Sequence, residues 1–369
     1  VKVFNVLDVN EAYHVGRDFF ARHIALAERG EAAAEVRKVP TRQGGHVWEA
    51  RGPVATVYRR PVFRVLFDPQ RDAHPFFHLM EGMWLLAARN DVDFLAYFLK
   101  NIRQFSDNGK DFHGGYGARL GSELPIIMSM LHKDPASRRA YAAIFEPRDL
   151  GAQSLDIPCN VGVAFSARDG YLDMTVFNRS NDMIWGAYGA NAVQFSFVQE
   201  YIAGAIGAHV GTYTQVSNSF HVYPDTWAKI APATLGIDAA HQDPYQSADA
   251  AGRFPVLMQR GGFASIHPMF SLPNGFHEPG DPVEDFGEIQ ADLGTLQTLP
   301  AEEVGPTRRW VSPFFKQVVA PMAQAFYAYK AGDYEVARDI LREDVMAPDW
   351  AAAADAWVAR RQAKKEMAA

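Results

Sequence analysis

Cysteine is almost absent. The 369-residue chain carries one, Cys159, which excludes an internal disulfide and any framework built on several thiolate ligands. Long apolar runs are missing too: no stretch approaches the ~20 residues of a bilayer span, and the first residues lack an apolar core beside a basic start. With one cysteine, this predicts a cytoplasmic protein without a membrane partner. There is no excess of positive charge, since 36 Lys and Arg against 43 Asp and Glu leave a formal net charge of -7. That argues against a nucleic-acid partner, although a local pocket can still hold one phosphate. The glycines around Tyr116 lack the Lys-Ser/Thr of a phosphate-binding loop, and no strand runs into Gly-x-Gly-x-x-Gly.

What is present is a globular composition, 48% hydrophobic, 12% aromatic and 21% charged, in a chain long enough for one large domain with an appendage. Apolar spacing predicts a helix from Val9 to Glu31 and a long one from Pro75 to Phe98 with a break before Phe94. Val54 to Val57 and Val62 to Phe67 read as short strands, and Arg42 to Arg51 as a glycine-containing loop. Val161 to Phe177 reads as a hairpin turning at Arg168-Asp169-Gly170, which puts Cys159 at the entrance to a strand. Ala192 to Ala208 is a strongly apolar helix and Thr212 to Tyr223 an extended strand. Pro224 to Pro306 is irregular, and Phe314 to Lys330, Tyr334 to Glu343 and Asp349 to Lys365 form three successive helices. The pattern from Phe326 to Tyr334 is reminiscent of a tetratricopeptide hairpin, but a single copy makes no repeat array.

Several residue types in this order point to chemistry, each with a plainer reading beside it. Cys159 could be a nucleophile if Arg179 lowers its pKa, or a small buried hydrophobe. Glu81, inside an apolar helix, is a desolvated acid or base, or a paired carboxylate. Arg138-Arg139 could grip a phosphate or be solvated after a turn. His221 and Tyr223 face the same side of a strand and could bind a sugar hydroxyl or lie satisfied in the core. Asn191 is either a helix cap or an amide reading a heterocycle's donor and acceptor together. His74, His78 and Glu81 have metal-like spacing on one helix, but Pro75 interrupts the first turn and the reading is no metal.

The ordered set Pro158-Cys159, Arg179-Ser180-Asn181-Asp182, Asn191 and His221-Val222-Tyr223 resembles the thymidylate synthase superfamily, including its phage-type deoxynucleotide hydroxymethylases. Glu81-Gly82-Met83-Trp84-Leu85-Leu86, Gly115-Tyr116-Gly117 and Asp134 to Arg139 add to the resemblance, which runs from about Arg51 to Tyr223. It implies an α+β fold with a large twisted mixed sheet flanked by helices: a catalytic domain over residues 1–306 and a helical extension over 307–369. It also implies a homodimer with the sheets back to back, in which Arg138 and Arg139 reach the partner's site. Arg179, Ser180 and, as a further candidate, Arg51 would bind the nucleotide phosphate. His221 and Tyr223 would bind the deoxyribose, and Asn191 the base.

The chemistry implied by the resemblance starts with Cys159 adding to C6 of the pyrimidine, so that C5 attacks the co-substrate 5,10-methylenetetrahydrofolate. Glu81 and Tyr116 would manage protons, and Asp182 would hold the pterin. An asparagine at 191 favours dUMP, since cytosine-specific members place aspartate there. Ile102 stands where synthases carry tryptophan near the folate, Asn160 replaces the histidine after the cysteine, and the helical tail replaces a short closing segment. One extra residue separates Asp182 from Asn191. Weaker shielding from water favours 5-hydroxymethyl-dUMP over dTMP. The phage-like segment Phe67 to Glu81 points the same way, toward a modified-base pathway. The alternatives are a thymidylate synthase and a non-catalytic nucleotide-binding or interaction protein.

Overall fold

The computed structural model describes residues 1–42, 44–231, 245 and 285–368, and most of the irregular stretch expected between Pro224 and Pro306 lies outside them. Six strands form the larger sheet, in the order β1 (Lys2–Val6), β4 (Val54–Tyr58), β9 (His209–Ser217), β7 (Tyr171–Asn178), β6 (Asn160–Arg168) and β5 (Tyr141–Ala143). The sheet is mixed: β1 with β4 and β7 with β9 are parallel pairs, and the others antiparallel. A second sheet of β2 (Val36–Pro40), β3 (His46–Ala50), β10 (Phe220–Val222) and β8 (Asn181–Asp182) lies beside it. The chain is thus of mixed α and β class, with its strands in two sheets.

Two sequence expectations are corrected here. The glycine-containing loop from Arg42 to Arg51 folds back as strand β3, paired along its length with β2, because the turn at Gly44 and Gly45 takes left-handed φ values of 89° and 77° and delivers alternating residues to the pairing. Conversely, Val62 to Phe67 is no strand. Its backbone is satisfied by a side chain: Asn10 Nδ2 donates to the Val65 carbonyl at 3.0 Å, and the Phe67 N–H donates to Asn10 Oδ1 at 3.0 Å. One buried amide does the work of a neighbouring strand.

The hairpin of β6 and β7 turns at Asp169 (φ 52°) and Gly170 (φ 80°), two successive left-handed residues that match the twist of the flanking strands. The resulting register sets Asn160 opposite Asn178. Helices cover one face of the larger sheet. Helix α1 runs over Val9–Glu28, α2 over Pro75–Leu86, α3 over Val92–Phe98 and α6 over Asn191–Ala205, so the single long helix expected from Pro75 is two. Every residue of α2 and α6 is buried. They approach closely because Gly82 has no side chain: a Cβ there would sit 2.6 Å from the Phe197 ring.

The tail forms the three expected helices, Ala320–Ala331, Tyr334–Glu343 and Pro348–Ala368. The last of them packs on the start of α2. Trp357 lies 4.3 Å from the His74 ring and 5.7 Å from Phe76, between ring centroids, and Arg360 and Arg361 both donate to Asp72, at 3.0 Å each for their closest bonds. Asp72 itself sits at φ 48°, a conformation asparagine also tolerates. Asp72→Asn therefore removes the charge and keeps the backbone. We expect it to cost about 1 kcal/mol, discounted for partial exposure, seen as a lower urea midpoint with an unchanged slope.

Candidate active site

Strand register builds the site. Because Asn160 faces Asn178, Cys159 falls beside Arg179, whose N–H donates to the Cys159 carbonyl at 2.9 Å. Parallel pairing of β8 with β10 then sets His221 opposite Asp182, and the His221 and Tyr223 rings meet edge to face at 5.4 Å, as their spacing predicts. Arg179 and Ser180 form the two-residue link between β7 and β8. Cys159, Tyr116, Asn160, Arg179, Asp182, Asn191, His221 and Tyr223 are thereby gathered from segments far apart in sequence.

Cys159 is partly exposed and is the chain's one free thiol. Its pKa is raised above the usual 9.0 by burial, which outweighs the opposing pull of Arg179. This corrects the expectation of a thiol lowered by arginine. The guanidinium is committed elsewhere: Nε donates to the Pro158 carbonyl at 2.8 Å and Nη2 to the Ile157 carbonyl at 2.9 Å, leaving Sγ at 3.9 Å. At rest Cys159 is a thiol, and arginine orders the loop that holds it.

Glu81 lies inside α2 with Oε2 buried and without a hydrogen-bond partner. Burial pushes its carboxyl up to about 8, against a smaller downward pull from the Gln194 amide. At pH 7 it is mainly a neutral acid, suited to giving and retaking a proton. Tyr116 accepts the Asn160 N–H at a long 3.5 Å and, being buried, ionises only at raised pH. The metal-like spacing in α2 is used otherwise: His74 Nδ1 accepts the Phe77 N–H as the helix cap, at 3.2 Å, and burial pulls both His74 and His78 down to about 3.

Asp182 caps the irregular turn Met183–Ala190, its Oδ1 accepting from Ile184 N–H at 2.8 Å and Trp185 N–H at 2.6 Å. Oδ2 remains buried and unpartnered, and burial raises this carboxyl too. Asn191 is no cap. It has helical backbone, and its side chain joins Asn160 and Asn181. Sequence reading missed Gln194, Gln215 and Arg71; the last donates to the Ile184 carbonyl at 2.9 Å and lies over the exposed Trp185 ring at 4.6 Å. The only advance signal was polar residues in strongly apolar segments.

Other expected residues lie apart. Arg138 and Arg139 are exposed on the turn before β5. Arg51 donates to the Ala34 carbonyl at 2.9 Å and lines a recess with Lys2, Glu35 and Val54 that includes none of the residues around Cys159. Ile102 packs half-buried on the core from a short helical turn, Lys100–Phe105. Among the described residues, no group of three His, Cys, Asp or Glu side chains is placed to hold a metal, and no helix is long and apolar enough to cross a membrane.

Comparison with known proteins adds a lineage to this geometry. The family model described as Thymidylate synthase matches residues 77–236. The Deoxyuridylate hydroxymethyltransferase of Pseudomonas phage M6 is 39% identical over 340 residues, 88% of this chain and 88% of that protein. The protein of the same name from Bacillus phage SP01 is 37% identical over 223 residues, 56% of this chain and 54% of that one.

Two outcomes follow from the raised pKa values. The folded state keeps the Glu81 proton to about 8, whereas the unfolded chain releases it near 4.5. Stability from this group is therefore full below 4.5 and is lost as pH rises through 8. Thermal melts of wild type and Glu81→Gln should diverge over that window, with the variant the more stable at pH 9. For Cys159, alkylation by iodoacetamide should show a pH midpoint above 9.0, and Arg179→Ala should move that midpoint higher still. A midpoint that falls on losing Arg179 would contradict the assigned balance of burial and charge.

Proposed function

The chain belongs to the thymidylate synthase family, and we propose that it transfers a one-carbon unit to C5 of dUMP and hydrates it to 5-hydroxymethyl-dUMP. The observation that carries this is Cys159 Sγ at 3.9 Å from Arg179 Nη2, with the next residue, Asn160, bonded to Asn191 Oδ1 at 3.1 Å, in a chain similar over most of its length to a deoxyuridylate hydroxymethyltransferase. The co-substrate is 5,10-methylenetetrahydrofolate, which supplies a carbon at the oxidation level of formaldehyde. The unpartnered Asp182 Oδ2 suits a pterin, whose N–H groups need an acceptor.

The residues divide the work as follows. Cys159 gives up its proton as substrate arrives, and its sulfur bonds to C6 of the uracil while the C5–C6 electron pair shifts toward O4. Asn191 donates to O4 and accepts from N3–H. Glu81, neutral at pH 7 and shut off from water, carries protons at O4 and C5 with Tyr116 beside it. Arg179 and Ser180 hold the phosphate, and His221 and Tyr223 the sugar. C5 then bonds to the folate methylene carbon and gives up its proton, the carbon–nitrogen bond to the folate amine breaks, water adds to the resulting methylene on C5 and loses a proton, and the sulfur–C6 bond breaks; no hydride is consumed. The family resemblance sets position 102 beside the folate, where half-buried Ile102 would leave a smaller shield than tryptophan and so favour water capture.

Two copies pack through the open face of the larger sheet. One row across it reads Tyr141, Ala164, Thr175, Thr214 and Val57, and Tyr141, Tyr171 and Phe177 on that face are 48%, 52% and 39% exposed. A sheet face that exposes three aromatic rings among its threonines wants a cover, and Arg138 and Arg139 stand at its edge, ready to reach a partner's phosphate.

Purified protein with methylenetetrahydrofolate and dUMP should give a product heavier by one hydroxymethyl group, without the absorbance rise of dihydrofolate. Formation of dTMP with equimolar dihydrofolate would make it a synthase instead, and binding without turnover a non-catalytic protein. Cys159→Ser should abolish product and covalent adduct. Ile102→Trp should raise the dTMP share; an unchanged ratio would count against the shielding argument.

A further inference from the structure

Buried amides form a directed chain behind the base. Gln215 Nε2 donates to the Tyr213 hydroxyl at 2.8 Å and to the Ala187 carbonyl at 3.4 Å. Its Oε1 accepts from Asn181 Nδ2 at 2.8 Å, and that nitrogen also reaches Ser217 Oγ at 3.0 Å. Asn181 Oδ1 accepts from Asn191 Nδ2 at 3.0 Å, and Asn191 Oδ1 accepts from Asn160 Nδ2 at 3.1 Å. All four amide side chains belong to buried residues. Their direction is set where the chain meets the backbone, because the Ala187 carbonyl can only accept.

A primary amide on its own does not distinguish uracil from cytosine. Uracil offers an acceptor at O4 and a donor at N3, cytosine the reverse, and turning the amide over exchanges the two readings. We infer that Asn181, Gln215 and Asn160 are positioning residues that hold Asn191 in its uracil-reading orientation, so that selectivity against cytosine nucleotides resides in the chain behind Asn191. In the observed orientation one Nδ2 hydrogen and one Oδ1 lone pair of Asn191 stay free for the base. Turning it over sets nitrogen against Asn160 Nδ2 and oxygen against Asn181 Oδ1, two repulsions in place of two bonds. Gly186 closes over this junction: a Cβ there would lie 2.6 Å from Asn181 Oδ1 and 3.3 Å from Asn191 Nδ2.

The inference rests on the site being a uracil-nucleotide site, and the test separates the two. Turnover of dUMP is measured for wild type, Asn181→Ser and Asn160→Ser, with dCMP as competitive inhibitor and thermal melts confirming folding. A serine hydroxyl both donates and accepts, so it imposes no direction. The ratio of the dCMP inhibition constant to the dUMP KM should fall by about tenfold in each variant, the worth of roughly one buried hydrogen bond. General damage to the site weakens both nucleotides alike and leaves the ratio where it was. An unchanged ratio in the folded variants overturns the relay while dUMP turnover by wild type upholds the activity. A wild-type protein inert toward dUMP overturns the activity, and the relay's role with it.

Discussion

Two wholly buried helices, Pro75–Leu86 and Asn191–Ala205, meet where Gly82 admits the Phe197 ring, and the character of the site depends on that contact. Removing water from the carboxyl of Glu81 is what keeps it protonated at neutral pH. The helix that desolvates it begins with Asn191 and carries Gln194, so the carboxyl and the amide we propose to read the base are fixed relative to each other by the same packed surface. A side chain at position 82 would part the helices, admit water, and return the carboxyl toward an ordinary acid. Arg64, stacked over Phe197 at 4.0 Å and paired with Glu200, secures the same junction from its other side.

The sheets contribute something different. Helix packing sets protonation, while strand register sets distance: residue 159 meets 179, and 182 meets 221, because ladders align them. A one-residue slip of β7 against β6 would turn Arg179 away from Cys159 and turn every core side chain of β7 outward. The apolar alternation on β7, buried at Leu172, Met174 and Val176, therefore protects the chemistry as well as the core.

Much of this was legible in the sequence, and unevenly so. The hairpin, the helix of Glu81, the apolar helix after Asn191 and the tail follow from periodicity and turn residues, since each is decided by local preference and one buried face. Strands β1 and β3 were not read, and Val62 to Phe67 was read wrongly, because strand identity there depends on which distant partner is present; Asn10 supplies the bonds instead. In the site, the structure brings Cys159, Arg179, Asp182, Asn191, His221 and Tyr223 together and leaves Arg51, Arg138, Arg139 and Ile102 apart, and burial rather than arginine decides the Cys159 shift. Proximity of an arginine is visible in a sequence, whereas the carbonyls that occupy it are not. Gln215 drew no notice for the same reason, since its role exists only through contact with Asn181.

The grip of Arg360 and Arg361 on Asp72 orders events during synthesis. The helix bearing Glu81 leaves the ribosome early, yet the side chains that clamp its approach come from Pro348–Ala368, at about 5–20 residues per second many seconds later. Until then the first turn of that helix is exposed through His74 and Phe76, the surfaces Trp357 later covers. The sheet and the loop of Cys159 can thus be in place before the entrance to the Glu81 helix is covered.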